Sequence, residues 1–219
     1  MTMDELSTRR RARTDEQKEE RRQAILTAAE AHFAAVGFES FSMAVLAREV
    51  GIAKGTLYLY FATREEVLLA VFMERFQDLG SRLIANLGPD LDEADFCAEF
   101  YRQSVADPVF IGLTSRLESV IEHNISLDAF CTMKRAMAAE FERMVAVLTE
   151  RLSLTAEAAF DLLISFSVLL QGASQADAGP TLEEESLPAD VRTMLGHFSG
   201  EALFVRNARR ILAGVRAGI

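Results

Sequence analysis

Two short amphipathic segments, 43–50 and 54–61, meet at Gly51, and few folds accommodate such an arrangement. Glycine adopts backbone conformations that other residues resist, so Gly51 permits a tight turn between the segments. Ile52 and Leu57 are placed to pack between two short helices and hold them together. The pattern therefore predicts a helix-turn-helix, whose second helix projects outward at a fixed angle.

Capping signals and apolar periodicity predict helices through the remaining chain. Thr14 is expected to open a first helix as the start of a capping box, and Gly37 to end it. A second capping box at Thr63 predicts a long helix from Arg64 to about residue 87. Further helices are expected near residues 90–106, 108–124, 127–152, 155–177 and 200–216.

The predicted fold class is all-α, with a small head and a larger helical body. We expect a flexible basic arm over residues 1–13, a three-helix head over 14–62 and the body over 63–219. Glycines, prolines and an acidic run at 183–185 break the helical pattern within the body. The interval 178–199 is therefore interpreted as a solvated connection.

The net charge of −10 is unevenly distributed along the chain. As a bulk value it argues against a nucleic-acid partner, because phosphate binding needs local positive charge. Residues 1–64 hold ten Lys and Arg against nine Asp and Glu, whereas residues 65–219 hold thirteen against twenty-four. The acidity belongs to the body, so the two parts of the chain are expected to meet different partners. The basic residues near the N-terminus form either a disordered arm or an arm that touches phosphates or the minor groove.

Little in the sequence points to catalysis, a metal or an oxidising compartment. Cys97 and Cys131 are too few for a disulfide framework or a four-cysteine zinc site. The three histidines lie far apart, and the common nucleotide-binding, nucleophile and zinc-protease motifs are absent. The apolar stretch 162–170 is far shorter than the roughly 20 residues of a membrane span, and the polar residues 1–13 predict no signal peptide. We expect a cytoplasmic protein that is not an enzyme and has no cofactor or metal, with a metal site built from separated acids left open.

The second short helix carries side chains suited to a DNA backbone. Lys54 offers an ammonium group to phosphates, and Gly55 lets the backbone approach closely. Leu59 is apolar where the helix faces outward, which suits a thymine methyl group. The two tyrosines offer phenols to phosphate oxygens, with core packing as the alternative. Ser42 either caps the first of the two short helices, 43–50, or contacts a phosphate. The residues expected to contact DNA are Ser42, Lys54, Gly55, Thr56, Tyr58, Leu59, Tyr60 and Arg64.

The run GIAKGTLYLYFATREE, Gly51 to Glu66, resembles the recognition-helix signature of TetR/AcrR transcriptional regulators. The pattern IxxAAxxxFxxxGF, Ile25 to Phe38, resembles the first helix of that family. The resemblance covers about residues 14–75, whereas the body resembles the family only in length, helicity and hydrophobicity. The chain departs from the family pattern at three positions, where it has His32, Phe41 and Ala53; Phe41 replaces a common threonine and leaves the N-cap to Ser42.

The resemblance implies a homodimer whose two recognition helices bind a near-palindromic operator on double-stranded DNA. It also implies repression that ends when a small molecule enters the helical body, with movement transmitted through the helix opening at Arg64. Activation instead of repression is left open, and so is a helical ligand-binding protein that has lost DNA binding.

Two sets of residues in the body follow from the resemblance and from apolar periodicity. An apolar ligand pocket rich in aromatic and methionine residues is expected, with a solvent-facing position as the alternative for its polar members. The pocket is expected to involve Phe76, Phe100, Tyr101, Arg116, Met137, Phe141 and Phe166. The dimer interface is expected to involve Ala159, Leu163, Phe166, Leu170, Ala202, Val205 and Leu212.

Overall fold

The computed structural model describes residues 3–86, 88, 92–177 and 187–218. Every regular element in these ranges is helical, which confirms the all-α prediction. The helices are α1 (Met3–Ser40), α2 (Met43–Val50), α3 (Lys54–Tyr58), α4 (Arg64–Asn86), α5 (Glu93–Val105), α6 (Pro108–Arg116), α7 (Leu127–Leu152), α8 (Ala156–Asp177), α9 (Ala189–Gly196) and α10 (Gly200–Ala217). Between α6 and α7 the chain makes a π-helical turn, Leu117–Ile121, and a 3-10 turn, Glu122–Asn124.

Helix α1 begins earlier than predicted. It starts at Met3 and not at Thr14, so residues 3–13, expected as a flexible arm, continue the first helix. No glycine or proline interrupts these residues, and their leucine, alanine and arginines favour helix extension. The predicted break at Gly37 is present, where φ is 70°. The side chains from Arg9 to Arg13 lie outside the described residues, so their contact with phosphates stays a prediction.

The predicted connection 178–199 is wrong in its second half. Residues Ala189–Gly196 form α9, which begins directly after Pro188. A proline fixes φ near the helical value and is well suited to a position beside a helix start, so it marked a beginning and not only a break. Residues 178–186, which include the acidic run, lie outside the described residues.

Helix α4 starts at a capping arrangement close to the predicted one. The Thr63 hydroxyl accepts a hydrogen bond from the Glu66 N–H at 3.1 Å. The Glu66 carboxylate accepts from the Ala62 N–H at 2.9 Å, one residue before the position of an ideal capping box. Two backbone donors at the start of α4 are thereby satisfied.

The phenylalanines of α5, α8 and α10 form the centre of the body. The Phe166 ring lies 5.8 Å from the Phe96 ring and 5.5 Å from the Phe204 ring, and all three side chains are fully buried. Such offset and edge-on ring pairs stabilise a core beyond their buried area.

Helix α8 is strongly apolar along most of its length. Residues Ala156–Ala176 have a mean hydropathy of 1.3, which by length and composition alone would allow a membrane span. One face of α8 packs against α7 and α10 and buries Leu162 and Phe166 completely. Packing within the helical body accounts for that face.

An ion pair on α7, between the buried Glu140 and the exposed Arg143, also reaches α4. The carboxylate of Glu140 is buried and accepts two hydrogen bonds from the Arg143 guanidinium. Arg143 also donates to the Ser81 hydroxyl at 3.1 Å and to the Gln77 carbonyl at 3.4 Å. The hydrogen bond that Arg143 donates to Glu140 raises the pKa of Arg143 above its usual value. A side chain at Gly80 would collide with Glu140, so the glycine permits this close approach of the two helices.

We predict that Arg143→Met lowers the free energy of unfolding by about 1–3 kcal/mol, because it leaves the buried Glu140 carboxylate without its donor. Chemical denaturation would measure the loss. The double variant Glu140→Gln/Arg143→Met should recover part of it, since no buried charge then remains. Arg135→Met, at an exposed position on the same helix, is the control and should be close to neutral; an equal loss in this variant would contradict the assignment.

Candidate nucleic-acid interface and ligand cavity

The turn between α2 and α3 is built as the sequence predicted. Gly51 ends α2 in the left-handed conformation, with φ 72° and ψ 33°, and its N–H bonds to carbonyls of α2. Leu57 is completely buried and Phe61 is nearly so, which fixes α3 against the head. Ile52 is half-buried against the same core.

The opposite face of α3 is open to solvent. Lys54 and Gly55 are exposed, Tyr58 is 43% exposed and Leu59 is 82% exposed. Core packing is therefore excluded for Tyr58, whose ring lies 5.8 Å from the Lys54 ammonium. Thr56 and Tyr60 are half-buried, and Tyr60 packs partly against the core.

Arg64 differs from Lys54 in that its charge is already paired. Its Nε lies 2.7 Å from the Glu65 carboxylate, and its guanidinium lies 4.9 Å from the centre of the Phe38 ring. These contacts fix Arg64 at the start of α4, beside α1. Lys54 makes no ion pair within the described part of the chain, so its charge is available to a partner.

Ser42 occupies the N-cap position of α2 but makes no side-chain cap, so of its two expected roles only the phosphate contact stays a prediction. Its backbone N–H instead donates to Nε2 of the buried His32 at 3.3 Å, and Nδ1 of His32 lies 3.5 Å from the Glu49 carboxylate. Because Nε2 accepts a hydrogen bond, this pattern assigns the proton to Nδ1. The His32 ring also packs on Phe41 at 5.1 Å. A departure from the family pattern thus ties α1 to both ends of α2, and sequence reasoning noted the residue without finding this role.

A cavity of about 380 Å³ lies in the body between α4, α6, α7 and α8. Aromatic rings form much of its wall, and the Phe72, Phe76 and Phe110 rings lie nearly parallel, with interplanar angles between 8° and 14°. Its polar groups are Thr114, Glu118, Lys134, Ser167 and Gln171. A larger depression beside Leu154 and Val215 is open to solvent, which suits a ligand less well.

The structure places four of the seven expected pocket residues at this cavity, namely Phe76, Phe100, Met137 and Phe141. Arg116 does not line it, because its exposed side chain turns toward Glu39 at 3.9 Å. Tyr101 packs on Phe204 at 5.2 Å, and Phe166 is enclosed among other core rings, so neither borders the cavity.

The residues expected at a dimer interface are mostly buried inside one protomer. This correction applies to Ala159, Leu163, Phe166, Leu170 and Leu212. Ala202 is exposed and Val205 is half-buried. The exposed apolar side chains of α8 are instead Phe160, Ile164 and Val168, one helical turn apart on a second face that also borders the cavity. The four-residue spacing of this second stripe was visible in the sequence, but nothing local distinguished it from the core stripe.

No group of three or more His, Cys, Asp or Glu side chains comes together in metal-binding geometry within the described residues.

Comparisons with known proteins agree with this architecture. Residues 25–71 match the model of bacterial regulatory proteins of the tetR family, and residues 71–218 match the tetracyclin repressor-like C-terminal domain. An uncharacterized HTH-type transcriptional regulator of Haemophilus influenzae is 39% identical over 79 residues, 36% of this chain and 40% of that protein. The fatty acid metabolism regulator protein of Bacillus subtilis is 31% identical over 67 residues, 31% of this chain and 34% of that protein. The chain therefore spans about two fifths or less of the length of the curated relatives it matches.

Solved structures share the fold over most of the chain. A TetR transcriptional regulator from Rhodococcus sp. RHA1 superposes with a TM-score of 0.55 at 12% identity, covering 91% of this chain and 97% of the other. The complex of RolR with resorcinol gives 0.53 at 20% identity, covering 90% and 95%. The multidrug binding protein EbrR with imidazole gives 0.52 at 21% identity, covering 82% and 94%.

We predict that His32→Leu destabilises the head by about 1–3 kcal/mol, because the partly buried Ser42 N–H loses its acceptor. Thermal unfolding would measure the effect. His32→Gln places a side-chain carbonyl near the same position and should restore part of the stability. A leucine variant as stable as the wild type would show that packing alone positions α2.

Proposed function

Because the chain belongs to the TetR family of bacterial regulatory proteins, we propose that it is a sequence-specific DNA-binding transcriptional regulator. In the proposed mechanism it acts as a repressor that leaves its operator when a small, largely apolar ligand enters the body. The main support for this proposal is the solvent-exposed face of α3. This helix belongs to the head, and the head packs against the body that contains the cavity. Cytoplasmic location and action without a cofactor are parts of the same proposal.

The exposed face of α3 offers side chains both for contact with phosphates and for contact with base edges. Lys54, which has no ion pair among the described residues, offers its ammonium group to a phosphate, and the exposed Tyr58 phenol lies beside it. Gly55 adds no side chain between the helix and the DNA, and Leu59 presents an apolar side chain to base edges. The half-buried Thr56 and Tyr60 flank this face, and Arg64 supports it from the start of α4.

Charge favours one docking orientation. Residues 65–219 hold thirteen Lys and Arg against twenty-four Asp and Glu, so the body carries nearly all of the negative charge. A surface of that sign repels DNA, whereas the near-neutral head with its exposed Lys54 does not. The acidic body therefore restricts contact with DNA to the heads.

The contacts between head and body provide a route from ligand to DNA. Helix α4 begins beside the head and carries Phe72 and Phe76 into the cavity wall. Helix α6 carries Phe110 at the cavity and packs Gly112 against the ring of Phe33 on α1. A ligand that binds more tightly to one arrangement of α4 and α6 shifts the population of head positions, and DNA must weaken that ligand reciprocally.

We propose a homodimer through the outer faces of α8 and α10. Ile164 and Val168 expose an apolar stripe on α8, and Ile211 of α10 lies beside it around a shallow groove. Asp161 and Arg210 border the same groove with opposite charges. A two-fold axis brings each stripe against its copy, which buries apolar surface and spaces two recognition helices for a near-palindromic site.

We predict that Lys54→Ala weakens binding to all duplex sequences and reduces the salt slope by about one phosphate contact. Duplexes recovered by in vitro selection from a random pool supply the operator, and fluorescence anisotropy at several salt concentrations measures both effects. Arg151→Ala, a matched charge removal at the far end of α7, should change neither quantity. Failure to select any duplex would refute the regulator itself, whereas an unchanged slope in Lys54→Ala would refute only this contact.

We predict that Val168→Glu converts dimers to monomers and lowers operator affinity, because it places a charge in the proposed interface. Sedimentation velocity gives the oligomeric state. Leu127→Glu, at another highly exposed apolar position, is the control and should leave the dimer intact. A dimeric Val168→Glu variant would move the interface elsewhere.

A further inference from the structure

We propose that the cavity in the body takes an organic cation with an aromatic or bulky apolar body. This inference rests on the proposed ligand-responsive function and specifies the chemistry of its ligand. Three features of the cavity support it. Phenylalanine rings line its wall, the Glu118 carboxylate there has no partner among the described residues, and two hydroxyl groups already donate their protons to backbone carbonyls.

The wall of the cavity suits a cation because six phenylalanines line it, among mostly aliphatic neighbours. Phe72, Phe76, Phe110, Phe141 and Phe160 contribute side chains to it. The faces of such rings carry negative electrostatic potential, and a cation within about 6 Å of a ring centre is attracted by roughly 0.5–2 kcal/mol. The same rings bury the apolar body of a ligand, so charge and hydrophobicity are satisfied together.

Glu118 is exposed to solvent where it lines the cavity, and within the described residues it is the one charge there without a partner. Its carboxylate makes no ion pair or hydrogen bond with any of them. The other charged side chain, Lys134, lies 2.7 Å from the Glu122 carboxylate and 5.2 Å from the Phe130 ring. Lys134 is thus neutralised locally, and the three charges together leave a net charge of −1 beside an apolar cavity.

The hydroxyl groups at the cavity present oxygen lone pairs. Thr114 donates its proton to the Phe110 carbonyl at 2.8 Å, and Ser167 donates to the Leu163 carbonyl at 2.8 Å. Each hydroxyl oxygen can then only accept a hydrogen bond from a ligand. An anionic ligand would meet these oxygens and Glu118 unfavourably, whereas an ammonium or other cation is matched by all of them.

The segment that carries Glu118 also contacts the head. Glu118 lies in the π-helical turn Leu117–Ile121, and such turns are rare and concentrated at functional sites. A few residues further, the Asn124 carbonyl accepts from the Thr63 hydroxyl at 3.4 Å, and Ser126 donates to the Glu66 carboxylate at 3.4 Å. A cation drawn to Glu118 therefore acts on the segment that touches the start of α4.

The test compares ions of matched shape by isothermal titration calorimetry on the full chain. Tetraphenylphosphonium and tetraphenylborate differ in the sign of their charge, and benzyltrimethylammonium is a smaller cation. A sodium buffer keeps the borate soluble. We expect one saturable site for the cations, with the borate at least about tenfold weaker.

Glu118→Gln should weaken tetraphenylphosphonium binding about tenfold without changing the melting temperature. Glu142→Gln removes the same charge at an exposed position on α7 outside the cavity, so it should change binding less than about twofold. Equal effects of the two variants would mean that only the overall negative field attracts the cation, and this result would overturn the proposal.

The proposal is also overturned if the borate binds as tightly as the phosphonium ion, since Lys134 would then dominate, or if neither cation binds. Operator affinity is measured on the same samples without ligand. If wild-type protein binds no selected duplex, the regulatory function fails while the titrations still decide the ligand class. If the operator binds but the cations do not, only the present inference fails.

Discussion

Helix α4 contributes buried side chains to both the head and the body, and neither core is complete without it. Val67 and Leu68 are fully buried near the start of the helix, beside the head, while Phe76 and Leu79 reach the cavity two to three turns later. Because one rigid helix belongs to both packing units, the head cannot reorient without changing contacts around the cavity. The Thr63 cap and the Glu66 carboxylate fix the end of this helix that lies beside the head.

The sequence predicted the head well because its signals are local. Gly51, Leu57 and Phe61 determine a turn and a buried face within a dozen residues, and the structure agrees with each. Helix boundaries were predicted wrongly where one local signal is compatible with two structures. The capping box at Thr14 did not stop α1 from extending to Met3, and Pro188 preceded a helix that was interpreted as part of a loop.

The body was predictable in composition but not in detail. Helix α8 has apolar residues on two faces, so its sequence could not show that Leu163 faces the core while Val168 faces solvent. The sequence offered both Arg116 and Glu118 as polar groups for a ligand and could not choose between them. The Arg116 side chain turns toward Glu39, whereas Glu118 lies at the cavity. Such choices depend on the rotation of each helix, which only its packing partners determine.

The contact between Gly112 and Phe33 has a genetic consequence. A β-carbon at position 112 would lie 3.2 Å from the Phe33 ring, so even alanine would require this ring to shift by a few tenths of an ångström. Under the proposed function, substitutions here would alter the response to ligand, although Gly112 lies neither on the exposed face of α3 nor at the cavity. Under the same proposal, a screen for uninducible or constitutive mutants would recover substitutions where α6 packs against α1, as well as on the exposed face of α3 and at the cavity.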